Sequence, residues 1–384
     1  MTAPSPLAGI KVLELARILA GPWAGQTLAD LGADVIKVES PEGDDTRKWG
    51  PPYIDVEGER SAAYFHAANR GKRSIVADFT TEDGRALVLS LVAECDVLIE
   101  NFKLGGLKKY GLDYESLKAI NPRLIYCSIT GFGQDGPYAS RAGYDFMIQG
   151  MGGIMDLTGA PDGEPQKIGV AFADIFTGLY SVIGIQSALL MRERTGLGQH
   201  IDMSLFDCMT GVLANQAMNY LASGQAPTRL GNAHPNIAPY QTFPVADGHL
   251  IVACGNDGQF ARLVEVLGIG ELAHDQRFVT NAARVANRTD LTRLMEERTL
   301  AFDRDDLLSA LEKAGVPAGP INTVADVFAD PQFAHRGMKI EPEGVPGLRT
   351  PIRFSDAELA LSRRAPMIGE HGDDIRSELK ARKG

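Results

Sequence analysis

The sequence predicts an α/β fold, an open parallel sheet carrying helices, together with a smaller α+β domain. Three observations predict it. Over the first ~130 residues, β-rich runs alternate with helical periods, the pattern of repeated strand–helix–strand units. Two long helical patterns follow. Near residue 225 the texture changes, and a loop bearing proline and glycine leads into a block with its own strand and helices.

The elements follow in order. Ile10-Lys-Val-Leu-Glu-Leu15 alternates and reads as a strand, and Ala16 to Pro22 is a small-residue loop. Trp23 to Leu31 has helical period, and Gly32 stops it. Asp34 to Glu39 is a second strand, so this βαβ unit implies parallel pairing and a right-handed crossover. The pattern recurs with a strand at Lys72 to Asp78, a helix at Thr81 to Ala93 and a strand at Asp96 to Glu100. A helix at Tyr114 to Ile120 precedes a strand at Leu124 to Ile129. Long helical patterns cover Ile175 to Arg194 and Leu205 to Leu221. Pro227 to Tyr240 is loop-like, His249 to Cys254 is a strand, and helical segments run from Gln259 to Lys313. Gly315-Val-Pro-Ala-Gly-Pro-Ile321 reads as a stiff linker, because two prolines restrict it. The expected domains are 1–210, 225–318 and a return of 325–384 to the first.

Composition excludes several classes. With 44% apolar and 23% charged residues, the 384-residue chain is of ordinary globular type. A net charge of −11 disfavours general binding to nucleic acid or to a membrane surface, though it permits a local basic pocket. Cys95, Cys127, Cys208 and Cys254 are far apart and read as reduced thiols. No signal peptide is visible at the N-terminus, and no apolar run reaches the roughly 20 residues that span a bilayer. The expectation is a cytoplasmic protein.

Several motifs bear on chemistry. Gly131-Phe-Gly-Gln-Asp-Gly136 matches a dinucleotide-binding pattern, but Pro137 to Gly143 do not open a helix, so no helix N-terminus faces a pyrophosphate. The first βαβ unit ends on Glu39, yet its turn lacks the required glycine spacing. Asn69-Arg-Gly-Lys-Arg-Ser74 suits phosphate neutralisation, with a solvated basic turn as the plain alternative. Asn101-Phe-Lys-Leu-Gly-Gly-Leu-Lys-Lys-Tyr110 places an amide, rings and lysines after a strand, where open α/β sheets bind ligands. The histidines have no metal-ligand spacing. His234, in Gly231-Asn-Ala-His-Pro-Asn236, either touches substrate or is a loop histidine without a role. No serine-hydrolase or phosphate-loop signature occurs.

The most informative stretch is Lys167 to Leu190. It sets Asp174 between apolar residues and a small-residue helical run. A carboxylate beside a packed, partly dry wall is a candidate nucleophile or base. The plain alternative is a helix N-cap, and the two roles are compatible.

Taken in order, Pro6 to Leu15, Ala20-Gly-Pro22, Leu31 to Glu39, Asn69 to Ser74, Glu100-Asn-Phe102 and Gly143-Tyr-Asp145 resemble the family III coenzyme A transferases. These include formyl-CoA transferase and carnitine CoA-transferase and are also called the CaiB/BaiF family. The likeness continues through Asp174, Gly196 to Asp202, Gly315 to Pro320 and Gly369-Glu-His371. The second domain, with Leu230 to Tyr240 and Gly255 to Phe260, looks most like succinyl-CoA:glutarate CoA-transferases. The resemblance implies a Rossmann-like open parallel sheet, a smaller α+β domain and an interlocked homodimer. It implies that Asp174 is the nucleophile, passing through aspartyl anhydride and aspartyl-CoA thioester intermediates. Coenzyme A is then a substrate moiety, no cofactor is permanently bound, and no metal is needed. The other partners are an acyl-CoA, with succinyl-CoA as the expected donor, and a small dicarboxylate such as glutarate or itaconate.

By the same resemblance the CoA site includes Arg17, Leu19 and Ala20 in the first loop. It also includes Ala77 and Thr80 beyond the basic turn, Asn101 and Phe102 at a strand end, Lys109 in the next helix, and Ala142 and Tyr144. Two family cations are replaced here by Ser40 and Thr80, so Arg47, Lys72 and Arg73 are candidates to compensate. His234 and Asn236 are the candidate substrate-loop residues. The related α-methylacyl-CoA racemases use a His-Asp pair where this chain has Tyr144-Asp145, and racemisation needs a general acid/base at the α-carbon. A CoA-binding protein without turnover is the third reading.

Overall fold

The computed structural model describes residues 4–381. It divides into two compact units. The larger comprises Met1–Ile154, Lys167–Ala217 and Pro331–Gly384, and the smaller comprises Met155–Gln166 and Met218–Asp330. Residues 155–166 thus group with the smaller unit rather than with the stretch expected at 1–210. One reason is local: Arg229 Nη1 lies 2.9 Å from the Asp156 carboxylate and 3.0 Å from its carbonyl oxygen.

The larger unit is built on six strands: β1 (Lys11–Glu14), β2 (Asp34–Glu39), β3 (Arg73–Val76), β4 (Val97–Glu100), β5 (Ile125–Thr130) and β6 (His200–Ser204). All pair in parallel in the order β3-β2-β1-β4-β5-β6. The chain runs outward from β1 through β2 to β3, then returns to β4 on the other side of β1. That reversal opens a crevice at the carboxyl ends of β1 and β4.

Alternation along the strands divides the core into two layers. Val12, Val35, Val97, Ile99 and Ile125 point to one layer, shared with α1 (Ala20–Asp30). Leu13, Ile36, Leu98 and Tyr126 point to the other, shared with α2 (Glu82–Val92) and with a helix at Gly372–Ala381. Three further helices matter for the site: α3 (Asp145–Met151), α4 (Phe172–Thr195) and α5 (Leu205–Gly211). α4 packs along α1.

Three sequence expectations need correction. β6 carries only two large apolar residues, Ile201 and Met203, between polar ones, so its period did not mark it as a strand. The helix expected over Leu205 to Leu221 is two helices, α5 and Ala214–Ser223, broken where Ala214 adopts φ +46°. α4 is 24 residues long and, by length and composition alone, apolar enough to cross a membrane, as core helices of soluble proteins also are; within it the hydroxyls of Thr177 and Ser181 donate to the carbonyls of Ala173 and Thr177. Finally, the proposed linker at 315–321 contains a strand, Ala318–Pro320.

That strand edges a three-stranded antiparallel sheet with Gly248–Ala253 and Tyr240–Val245. Pro320 is tolerated because it lies on an edge strand. The smaller unit has its own core, including Phe243, Leu250, Val252, Phe260, Leu263 and Phe278. The four cysteines are buried and unpaired with one another.

Candidate active site

A cavity of about 600 Å³ lies at the carboxyl edge of the parallel sheet, within the larger unit. The segments leaving the strands form it. The turn after β1 contributes Arg17, Ile18, Leu19 and Ala20. Ser40 follows β2, and Phe79 and Thr80 follow β3. The loop after β4 contributes Asn101, Phe102, Lys103 and Lys109. The 139–145 loop and Asp174 of α4 complete the wall. Where β5 ends, Gly131 and Gly143 cross so closely that a Cβ on Gly131 would sit 2.4 Å from the Gly143 Cα. This close crossing explains Gly131, and Gly133 and Gly136 adopt φ +87° and +83°, so backbone geometry explains the glycines of the Gly131–Gly136 motif better than phosphate binding does.

Asp174 is the third residue of α4, whose N-cap is Ala171 with no side-chain cap. It is therefore not the N-cap that its position in the sequence suggests. Asp145 does the capping instead: its Oδ1 accepts from the backbone N–H groups of Ala173 (2.8 Å) and Asp174 (3.2 Å). Its Oδ2 accepts from Gln149 Nε2 at 2.8 Å. Since Asp145 satisfies the helix end, the Asp174 side chain is left free of that task, and no hydrogen bond is among the influences on its carboxylate. Burial pushes the Asp174 carboxyl up to about 7, with a further push from the negative charge of Asp145. The α4 N-terminus favours the ionised form, but desolvation outweighs it. Near neutral pH about half of this carboxyl is ionised and half is not.

Other side chains organise the walls. Asn101 Oδ1 accepts from the Arg17 backbone N–H at 2.9 Å, and its Nδ2 donates to the Arg17 carbonyl at 2.6 Å. The loops after β1 and β4 are thereby tied together. Arg17 is exposed, 3.3 Å from Asp45, and its guanidinium lies 5.6 Å from the Phe102 ring centre. The Phe102 N–H donates to Glu100 Oε2 at 2.7 Å. Burial pushes Glu100 up to about 7, opposed by its bonds from Ser128 and from Phe102. The cavity's cations are Arg17, Lys103, Lys109 and Arg141, against the carboxylates Asp145 and Asp174. Lys103 is one of the lysines that the sequence places after β4, whereas Arg141 was not singled out. Arg141 adjoins Ala142, so adjacency was the available signal for it.

The cavity thus brings together Arg17, Leu19, Ala20, Thr80, Asn101, Phe102, Lys109, Ala142, Tyr144 and Asp174. Tyr144 is 68% exposed. Ala77 is not in the wall. It is buried, with its N–H donating to the Glu39 carbonyl at 2.9 Å. Lys72 and Arg73 do not serve as phosphate cations. Lys72 Nζ is fully buried and bonds Glu14, Asn69 Oδ1 and the Pro22 carbonyl. Burial, opposed by Glu14, brings Lys72 down to about 8. Arg73 is clamped between Asp34 and Glu378, and Arg47 forms a two-pronged pair with Glu39 at 2.8 and 2.7 Å. The basic turn in the sequence pairs with carboxylates of the fold, Glu14 buried and Asp34 and Glu378 partly exposed, rather than with a ligand.

His234 and Asn236 lie in the smaller unit, before the strand Tyr240–Val245. His234 Nδ1 accepts from the Asn236 N–H at 3.1 Å, and its ring lies 5.3 Å from that of Tyr240. The Asn236 amide exchanges bonds with Asn219 at 3.1 and 3.2 Å. Among the described residues no cluster of three or more His, Cys, Asp or Glu is arranged to hold a metal.

The comparisons agree on one family. Residues 7–372 match the model of CoA-transferase family III. The chain is 60% identical to the succinate–glutarate CoA-transferase of Agrobacterium fabrum, over 98% of this chain and 96% of that one. It is 43% identical to the acetyl-CoA:oxalate CoA-transferase of Acetobacter aceti, over 98% and 96%. The crystal structure of a CaiB/BaiF family protein from Brucella suis is similar at 80% identity and a TM-score of 0.90, covering 98% of this chain and all (100%) of that one.

Proposed function

The chain belongs to CoA-transferase family III and is a CoA-transferase, and from that premise we propose that it moves coenzyme A from succinyl-CoA to a small dicarboxylate such as glutarate, with Asp174 as the nucleophile. The observation that carries this reading is the Asp174 carboxylate itself. It lines a cavity sized for a ligand, has no hydrogen-bond donor holding it, and is partly desolvated. A carboxylate so placed is a better nucleophile than a solvated one.

The chemistry runs in balanced steps. The ionised Asp174 oxygen attacks the thioester carbonyl of the donor, and the tetrahedral intermediate expels the CoA thiolate, leaving a mixed anhydride. The thiolate attacks the aspartyl carbonyl and releases the donor's carboxylate, giving an aspartyl-CoA thioester. The acceptor carboxylate attacks that thioester, and the thiolate leaves again. Finally the thiolate attacks the acceptor's acyl carbon, so Asp174 is regenerated and the new acyl-CoA leaves. No net proton is required, and one hard exchange becomes several easier ones. Each oxyanion needs donors. The N–H groups of Leu19 and Ala20 are candidates, because they sit in the cavity wall and have no acceptor among the described residues.

Succinyl-CoA and glutarate are supported by the name of the relative at 60% identity. The oxalate enzyme at 43% identity marks how far acceptors diverge on this scaffold. Lys103, Lys109 and Arg141 are our candidates for the CoA phosphates in place of the cations lost at Ser40 and Thr80. Racemisation is disfavoured, since the lining carries no histidine and Tyr144 stands where a racemase base would. His234 and Asn236 remain candidates for acceptor contact.

We further propose a cytoplasmic homodimer. α4 exposes Leu179, Tyr180, Ile183, Leu190 and Met191, and α3 exposes Phe146 at 60%. A second copy covering these side chains is the natural explanation of so much exposed apolar surface. The test of function is the Asp174→Ala variant. Transfer from succinyl-CoA to glutarate should vanish while CoA still binds, and retained transfer would remove Asp174 from the mechanism.

A further inference from the structure

Beneath the turn that follows β1 lies a buried charge cluster. Lys37, Lys72 and Glu14 have no exposed side-chain surface, and Asp44 is equally closed off. Lys37 Nζ lies 3.0 Å from Glu14 Oε1 and 3.0 Å from Asp44 Oδ2. Lys72 Nζ lies 2.8 Å from Glu14 Oε2. Two cations and two carboxylates are thus paired with one another in the core, and α1 makes room for them at Gly25, where a Cβ would sit 1.8 Å from Glu14 Oε2.

The cluster grips the turn's main chain at two points and the first helical turn of α1 at a third. Lys37 Nζ donates to the Ala16 carbonyl at 2.9 Å. The Ile18 N–H donates to the Asp44 carboxylate at 3.3 Å. Lys72 Nζ donates to the Pro22 carbonyl at 2.9 Å. Between these grips Ile18 adopts φ +71°. A β-branched residue is strongly disfavoured there, so the surroundings must impose the conformation. The next two residues, Leu19 and Ala20, stand in the same cavity wall as Asp174.

We propose that Glu14, Lys37, Asp44 and Lys72 are positioning residues of the transferase, which hold Ile18 left-handed and so fix the Leu19 and Ala20 N–H groups beside Asp174. A charged cluster this deep is a poor source of stability, since desolvation offsets most of the attraction. Its bonds to one strained turn and to the start of α1 account for its place in the core. The inference rests on the transferase reading for its kinetic consequence, but not for its structural one.

The test is Asp44→Asn, which keeps the shape and removes the charge, read in two ways. In amide exchange, the segment 15–22 should exchange at least about tenfold faster than in the parent while the strands keep their protection. In transfer from succinyl-CoA to glutarate, kcat should fall about tenfold or more, and by a larger factor than KM for the acyl-CoA rises, because Lys103 and Lys109 lie outside the loosened segment although Asn101 is bonded to Arg17 within it. Adding Ile18→Gly, which removes the penalty at φ +71°, should restore part of the lost kcat. A role in stability alone would not produce that rescue. Should Asp44→Asn fail to fold, Thr46→Val serves instead, since the Thr46 hydroxyl donates to Asp44 Oδ1 at 2.8 Å. A folded variant with unchanged exchange in 15–22, or with an unchanged kcat, overturns the assignment. If the parent protein shows no transfer, the functional reading fails by itself, and the exchange measurement still decides whether the cluster holds the turn.

Discussion

Replacing Asp174 with asparagine should remove activity and also stabilise the fold above neutral pH. The carboxyl is raised from 3.8 to about 7, chiefly by burial. At about 1.36 kcal/mol for each pH unit, keeping it ionised in the folded protein costs about 4 kcal/mol. The group opens onto a water-accessible cavity, which reduces the cost to roughly 2 kcal/mol. The sign follows from the direction. A folded-state pKa above the unfolded one gives a contribution that is complete below pH 3.8 and is lost as pH rises through about 7. Asparagine mimics the neutral acid at every pH. Its advantage over the parent should therefore be small near pH 4, partial at pH 5 and complete at pH 8, where it amounts to roughly 3 °C in melting temperature. Thermal unfolding of both proteins at the two higher pH values measures this. A variant no more stable than the parent at pH 8, or one whose advantage is larger at pH 5, would refute the view of Asp174 as a desolvated, unsatisfied carboxylate.

Three further outcomes are expected. Transfer kcat/KM should fall about tenfold for each pH unit below about 7, as protonation removes the nucleophile; a profile flat down to pH 5 would contradict this. Asp145→Asn should lower the apparent pKa of that profile, since the negative charge of Asp145 helps raise it while an asparagine Oδ1 can still cap α4; an unchanged profile would assign Asp145 a capping role alone. Lys103→Ala and Lys109→Ala should each raise KM for the acyl-CoA several-fold while leaving kcat within about twofold, whereas a loss confined to kcat would place them in the chemistry.

Much of this architecture is legible in the sequence because its signals are local. The strand–helix alternation gives five of the six parallel strands, and the residues just past their carboxyl ends line the cavity. What is not legible depends on distant partners. Lys72 and Arg73 look like a solvated basic turn until the fold brings Glu14, Asp34 and Glu378 to them. Asp174 looks like an N-cap because nothing local reveals that Asp145, 29 residues earlier, takes that task. Ile18 gives no sign of its left-handed backbone, since the bonds that hold its turn come from residues 37, 44 and 101. β6 is hidden because an edge strand needs fewer apolar side chains than its neighbours.

The most direct test of the central claim is to trap the covalent enzyme. The purified protein is incubated with succinyl-CoA and quenched with hydroxylamine or borohydride, and its peptides are mapped by mass spectrometry. The account expects a hydroxamate or a reduced side chain at Asp174, dependent on succinyl-CoA and absent in Asp174→Asn. An unmodified Asp174 in a preparation that carries out the transfer would contradict it.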